Sequence, residues 1–217
     1  MALMESWYPA ASAQPWDRVG LIVGDPFAPV RSILLALDPT AAIAEQAVAG
    51  PDGDGVSYDM VITHHPLLLR GASFLPVTHP KGSVVTTLIR SGIALFNAHT
   101  NADVACDGVA TALADLIGLR DTAPLEPCGA DAEGHDIGLG RVGTVDATTL
   151  GAFADHVASV LPAGPSGLFV GGDENATVQR VAVLGGAGDS ALEAARAAGV
   201  DVYLTADLRH HPASEHL

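Results

Sequence analysis

Positive charge is scarce in this chain of 217 residues. Lysine and arginine together number 10 against 25 aspartates and glutamates, a formal net charge of −15. That balance disfavours non-specific binding to DNA or RNA, which needs Lys and Arg to displace counterions from phosphates. Anionic membrane surfaces are disfavoured for the same reason. An acidic chain can still take an anion, but only through a local device such as a metal ion or a helix N-terminus. Cysteine is nearly absent, with Cys106 and Cys128 alone. Two are too few for a disulfide-stapled scaffold, so both are expected as free thiols in a reducing compartment. Apolar runs such as 33–37 fall far short of the roughly 20 residues of a membrane span. The opening Met-Ala-Leu-Met-Glu-Ser-Trp has no basic segment followed by an apolar one, so no signal peptide is expected and the cytoplasm is the expected location. A Gly-x-Ser-x-Gly elbow is missing, as are the cysteine pairs of a zinc finger.

What is present suits a packed protein. Apolar residues make up 48% and charged residues 16%, which excludes a disordered chain. Short β-rich runs alternate with Ala-rich stretches of helical length. Strands are expected over 32–38, 59–63, 93–97, 137–145, 168–170, 178–184 and 202–205. Helices are expected over 40–49 (capped by Thr40), 83–91, 107–117 (capped by Asp107), 147–160 and from about 190 to 198. Three glycines, a proline and two aspartates mark 50–55 as a turn. The alternation predicts α/β architecture: two similar α/β lobes with mostly parallel or mixed sheets flanked by helices. A segment rich in Pro, Gly and acids over 120–136 is the expected boundary, giving lobes over 1–125 and 126–217.

Four segments could carry chemistry, each just after an expected strand, where open α/β sheets collect ligands. Thr63-His64-His65-Pro66 offers two imidazoles. On an extended segment they would point to opposite faces, but a turn at the strand end can bring both to one crevice, as metal ligands or as an exposed loop pair. Ala98-His99-Thr100-Asn101-Ala102-Asp103 adds a third imidazole and a carboxylate that can bridge two metals. His99 reads as a supporting or structural histidine more readily than as a ligand, and Asp103 also reads as a cap. Gly185-Gly186-Ala187-Gly188-Asp189-Ser190 could hold phosphate on Gly185, Gly186, Gly188 and Ser190. It lacks a third motif glycine and a P-loop lysine, and reads more readily as a tight turn capped by Asp189 or Ser190. Last, Asp207, His210, His211 and Glu215 lie near the chain end, and His211 and Glu215 would share a face if helical.

In this order the segments resemble the Nif-three-like dinuclear-metal family, whose members are known as GTP cyclohydrolase I type 2 homologues. The similarity begins with Pro15-Trp16-Asp17-Arg18-Val19-Gly20 and continues through the His64-His65 pair. It takes in His99-Thr100-Asn101-Ala102-Asp103 with Asp107-Gly108, and ends with Thr205-Ala206-Asp207 and His211, Ala206 standing for the usual glycine. The resemblance implies a two-lobed α/β protomer in a homohexameric ring and two divalent metal ions held by His64, His65 and Asp103, with His99, Asp207 and His211 near the site. Imidazole and carboxylate ligands admit Zn, Fe, Mn, Ni or Co. The implied activity is hydrolytic opening of the purine ring of GTP, a small-molecule nucleotide partner. The alternative is a ring-forming metal-binding or regulatory protein without turnover. The family completes its site with a later Gly-His-x-x-Thr-Glu-type motif that would lie past Leu217. The chain therefore reads as a C-terminally shortened member, expected to hold metal weakly or at one site. No catalytic residue is assigned.

Overall fold

The computed structural model describes residues 1–53 and 55–216; Asp54, within the turn expected over 50–55, and Leu217 lie outside the described residues. The chain divides into two compact units, Met1–Ala102 and Asp103–Leu217. Each is built on a four-stranded mixed sheet with helices, the α/β architecture expected. The division falls ahead of the 125/126 boundary read from composition, because the Pro- and Gly-rich stretch is itself a strand of the second sheet.

The first unit runs α1 (Ala2–Trp7), β1 (Gly20–Val23), β2 (Ile33–Ala36), α2 (Ala41–Ala49), β3 (Met60–Thr63), α3 (Pro80–Arg90) and β4 (Ala94–Asn97). The sheet order is β1-β4-β3-β2. β2, β3 and β4 are parallel, and β1 is antiparallel to β4. Side chains alternate across the strands, so one face carries Val61 and Leu95 and the other Met60, Ala94 and Phe96. The first face packs on Ala44, Ala47, Val84 and Leu88 of α2 and α3. The second packs with Ala98 and Ala102 and takes Met4 and Tyr8 from the N-terminal segment. The Thr40 hydroxyl accepts the Ile43 N–H and starts α2 where expected. α3 starts three residues before the expected 83, because Pro80 occupies its first turn and His79 caps it through Nδ1. Gly24, at φ +117°, closes β1 against β4. A Cβ there would stand 2.7 Å from Ala94 Cβ, so both the backbone angle and the contact require glycine.

A short helix, α4 (Thr100–Val104), crosses the division. The second unit then runs α5 (Val109–Leu116), β5 (Arg120–Ala130), β6 (Asp136–Thr149), α6 (Leu150–Val160), β7 (Thr177–Ala187), α7 (Leu192–Ala197), β8 (Val202–Asp207) and α8 (His210–His216). Its sheet order is β5-β6-β7-β8, antiparallel except for β7 and β8. Val178, Val181 and Val183 of β7 form the core with Ala114 of α5 and with Phe153 and Val157 of α6. Gly108, not Asp107, caps α5. The expected strand over 168–170 is irregular chain, and Phe169 is 85% exposed. Three apolar residues between Gly167 and Gly171 do not make a strand without a partner. Both thiols are free. No helix among the described residues is long and apolar enough to cross a membrane.

Candidate functional site

The register of the first sheet assembles the site. Ala36, Thr63 and Asn97 lie abreast at the carboxyl ends of β2, β3 and β4. The antiparallel β1 begins opposite Asn97, at Gly20. The residues just beyond these ends therefore share one edge: Asp38 after β2, His64 and His65 after β3, His99 after β4, and Trp16 and Asp17 before β1. The ladder continues briefly past the strands, with His64 N–H on the Ala36 carbonyl, His65 N–H on that of Leu37 and Ala98 N–H on that of Thr63.

Extended geometry would send His64 and His65 to opposite sides. Here the chain turns. The buried Thr63 hydroxyl donates to the His65 carbonyl at 3.0 Å, and the buried Asn97 amide donates to the His64 carbonyl at 2.6 Å. The two rings lie with centroids 5.3 Å apart. His99 joins them, at 5.1 Å from His64 and 6.0 Å from His65. Trp16 stands edge-on to His99 at 6.0 Å.

Each of the three imidazoles is anchored through Nδ1. His64 Nδ1 meets the Ala98 carbonyl at 3.1 Å, His65 Nδ1 the Asp38 carboxylate at 2.8 Å, and His99 Nδ1 the Asp17 carboxylate at 2.9 Å. This is the support that metal-ligating histidines receive, a carbonyl or carboxylate on one nitrogen fixing tautomer and ring plane so that coordination falls to Nε2. Asp17 does more than hold His99. It also accepts the Thr100 N–H at 3.1 Å and the Thr100 hydroxyl at 2.7 Å, and through its other oxygen the Arg18 N–H at 3.0 Å. Burial pushes its carboxyl up, but the Thr100 hydroxyl and N–H together with His99 outweigh burial and hold it below the usual carboxylate range. His64 moves down, because burial and the neighbouring His65 outweigh the Ala98 carbonyl and Asp17. At neutral pH it is therefore an uncharged imidazole, the form that binds a metal.

Sequence reading singled out His64, His65 and His99, and the fold brings these together. It passed over the groups that orient them. By sequence Asp38 reads only as the last residue of a strand, although that position is itself the signal. Asp17 lies within Pro15-Trp16-Asp17-Arg18-Val19-Gly20, where sequence alone gives it no role, and Asn97 reads only as a strand end. Asp103 sits half-buried in the first turn of α4, at the start of the second unit.

The remaining expected residues belong to the second unit. β7 runs through Gly185 and Gly186 to Ala187, and Ser190 lies in a 3-10 turn before α7. The Gly188 N–H is bound to the Asp207 carbonyl, and its own carbonyl accepts the Tyr203 hydroxyl at 3.1 Å. Burial pushes that phenol up to about 12. Asp189 pairs with Arg209. This segment is thus tied into β8 by its own hydrogen bonds and carries a carboxylate. Asp207 closes β8 and His211 stands in the first turn of α8, its ring 5.2 Å from that of His210.

Comparison with known proteins comes to the same family from three directions. The family model Duf34/NIF3 (NGG1p interacting factor 3) matches residues 1–217. A protein of Streptomyces coelicolor named GTP cyclohydrolase 1 type 2 homolog is 46% identical over 213 residues, 98% of this chain and 72% of that one. A protein of the same name from Mycobacterium leprae is 32% identical, covering 99% of this chain and 80% of its own length. Among solved structures, a Bacillus cereus protein related to NIF3 superposes with a TM-score of 0.88 at 25% identity, covering 99% of this chain and 83% of that one. A Staphylococcus aureus hypothetical protein, SA1388, superposes with a TM-score of 0.85 at 31% identity, covering 99% and 80%.

Proposed function

This chain belongs to the Duf34/NIF3 family, and from that premise we propose that it is a divalent-metal-dependent hydrolase of the GTP cyclohydrolase 1 type 2 kind. The observation that carries the reading is the set of three neighbouring histidines, each anchored through Nδ1 by a carbonyl or carboxylate. The donor chemistry fits a borderline divalent ion such as Zn, Fe, Mn, Ni or Co. His64 and His65 are the proposed protein ligands, with Asp103 added by the family resemblance as a bridging carboxylate between two ions. His99, oriented by Asp17, is proposed as a supporting residue near the metal ligands. A bound divalent ion supplies Lewis acidity and a water acidified toward a pKa of about 7.

The chain's own groups do the rest. Asp38 and Asp17 fix the planes of His65 and His99, and Thr63 with Asn97 holds the turn that sets His64 beside His65. The chain carries 15 more negative than positive charges, so an anionic nucleotide needs a local reversal of sign, and bound cations at these histidines are the proposed source. A homohexamer belongs to the same proposal. It rests on the family resemblance, and the edge strand β2 is where a second chain could pair with the first sheet.

The test is to load the protein with each metal in turn and measure formate release from GTP. Formate above a metal-only blank supports the proposal. Metal binding without turnover of any nucleotide would instead favour the metal-binding or regulatory alternative. Asp38→Ala refines the test. Asp38 and His65 are about half exposed, so stability is expected to change by less than about 1 kcal/mol. Metal affinity, by isothermal titration, is expected to fall about 10- to 100-fold as His65 loses its orienting carboxylate.

A further inference from the structure

A second group of metal-binding side chains lies wholly within the second unit. Cys106 is on the link between α4 and α5, and Asp131 and His135 are on the turn between β5 and β6. One ligand atom from each lies within 4.8 Å of the others. We propose that Cys106, Asp131 and His135 form a metal site of their own, selective for a thiophilic divalent ion, zinc foremost.

The donor set carries the choice of ion. A thiolate with an imidazole and a carboxylate is the mixed soft and borderline set that zinc takes, whereas magnesium and calcium take oxygen alone. Three protein ligands leave a fourth position for water. Zinc–ligand bonds of about 2.0–2.3 Å put tetrahedral ligand atoms roughly 3.5 Å apart. The three groups are therefore within a small side-chain rotation of closing on an ion, and the exposed His135 has room to rotate.

Both segments are held in place. Asp131 Oδ1 accepts the N–H groups of Glu133 and His135 at 2.9 Å each, the Asp131 N–H meets the His135 carbonyl at 2.9 Å, and Gly134 turns the chain at φ +90°. Asp131 Oδ2 is then 3.1 Å from His135 Nδ1. On the other side the buried Arg141 guanidinium donates to the carbonyls of Ala105 at 2.7 Å and Cys106 at 3.2 Å, which fixes the backbone carrying the thiol. A surface Asp–His pair on its own contributes little and gives no reason for a thiol beside it. A metal site uses all three.

The experiment uses the whole chain, stripped of metal and kept reduced, titrated with cobalt(II). A thiolate-to-cobalt charge-transfer band in the near ultraviolet reports sulfur ligation. The imidazole and carboxylate ligands proposed at His64, His65 and Asp103 give no such band, so this result stands apart from the fate of the hydrolase proposal. The band is expected in the parent chain and in Cys128→Ser, to vanish in Cys106→Ser, and to need at least about tenfold more cobalt in His135→Ala. Equilibrium dialysis is expected to show one zinc fewer per chain in Cys106→Ser than in the parent, with far-ultraviolet circular dichroism confirming that the variant is folded. No band in the parent, or a band that survives Cys106→Ser, overturns the proposal.

Discussion

Replacing Asp17 by alanine is expected to lower the stability of the first unit by about 3 kcal/mol, and to loosen the metal site with it. The carboxylate side chain is fully buried and receives His99 Nδ1, the Thr100 N–H, the Thr100 hydroxyl and the Arg18 N–H. Hydrogen bonds to a charged group contribute about 1.5–3 kcal/mol each, and the donors left behind keep their own desolvation penalty of about 1–3 kcal/mol. Relaxation and water entry recover part of that sum. In a melt the loss reads as a midpoint of the first unit lowered by roughly 12–24 °C.

The same residue gives the stability a pH dependence of fixed sign. Its folded carboxyl lies below the unfolded value, despite burial, because Thr100 and His99 stabilise the anion. The unfolded chain therefore takes up the proton first. The stabilisation is complete above about pH 4 and is lost as pH falls through the lowered folded value. The gap between parent and Asp17→Ala in denaturant midpoint is expected to be widest near neutrality and to close in acid. A gap independent of pH would mean that Asp17 acts through packing alone.

Arg141→Met is expected to cost the second unit about 3 kcal/mol or more. Arg141 is 3% exposed on β6, and burial pushes its guanidinium down from its ordinary value. Among the described residues its hydrogen-bond partners are all neutral oxygens. Nε donates to the Thr111 hydroxyl at 2.9 Å, one terminal nitrogen to the Gly138 and Gly140 carbonyls at 2.8 Å, and the other to Ala105 and Cys106. Methionine removes the cost of burying a charge, several kcal/mol. It also strands the Ala105, Gly138 and Gly140 carbonyls at about 1–3 kcal/mol each, while the Thr111 hydroxyl and the Cys106 carbonyl keep their bond to each other, and this loss is expected to be the larger. Lysine is expected to recover little, since its compact ammonium cannot reproduce a planar fork reaching five acceptors. Urea denaturation of the three proteins measures this. Equal stability of the lysine variant and the parent would show that charge, not fork geometry, is what the site needs.

The parts of the fold legible in the sequence were those with local signals. Thr40 before an Ala-rich run gave α2, and the apolar runs gave β2, β3 and β4 to within a residue or two. The stretch over 120–136 misled for a physical reason. Proline and glycine read as a linker, yet β5 is an edge strand with breaks in its register, the setting in which a sheet admits residues such as Pro124 and Pro127. Breaks in its register, between Arg120 and Ala123 and between Pro127 and Gly129, absorb the rest.

For the site, the imidazoles announced themselves by type, whereas their supports did not. Asp17 and Asp38 meet His99 and His65 across separations of 82 and 27 residues. Only the register of four strands creates those pairs. Arg141 was invisible for the same reason, since the Ala105 and Cys106 carbonyls it binds have no side-chain signature.

The account stands on metal at the anchored histidines, and elemental analysis tests that most directly. With Cys106→Ser as the background, so that thiolate-bound metal does not contribute, the chain is dialysed against a divalent ion and its metal content compared with that of the same chain carrying His64→Ala and His65→Ala. Up to two ions per chain are expected in the first and fewer than half as many in the second. Equal metal content in both would contradict the account.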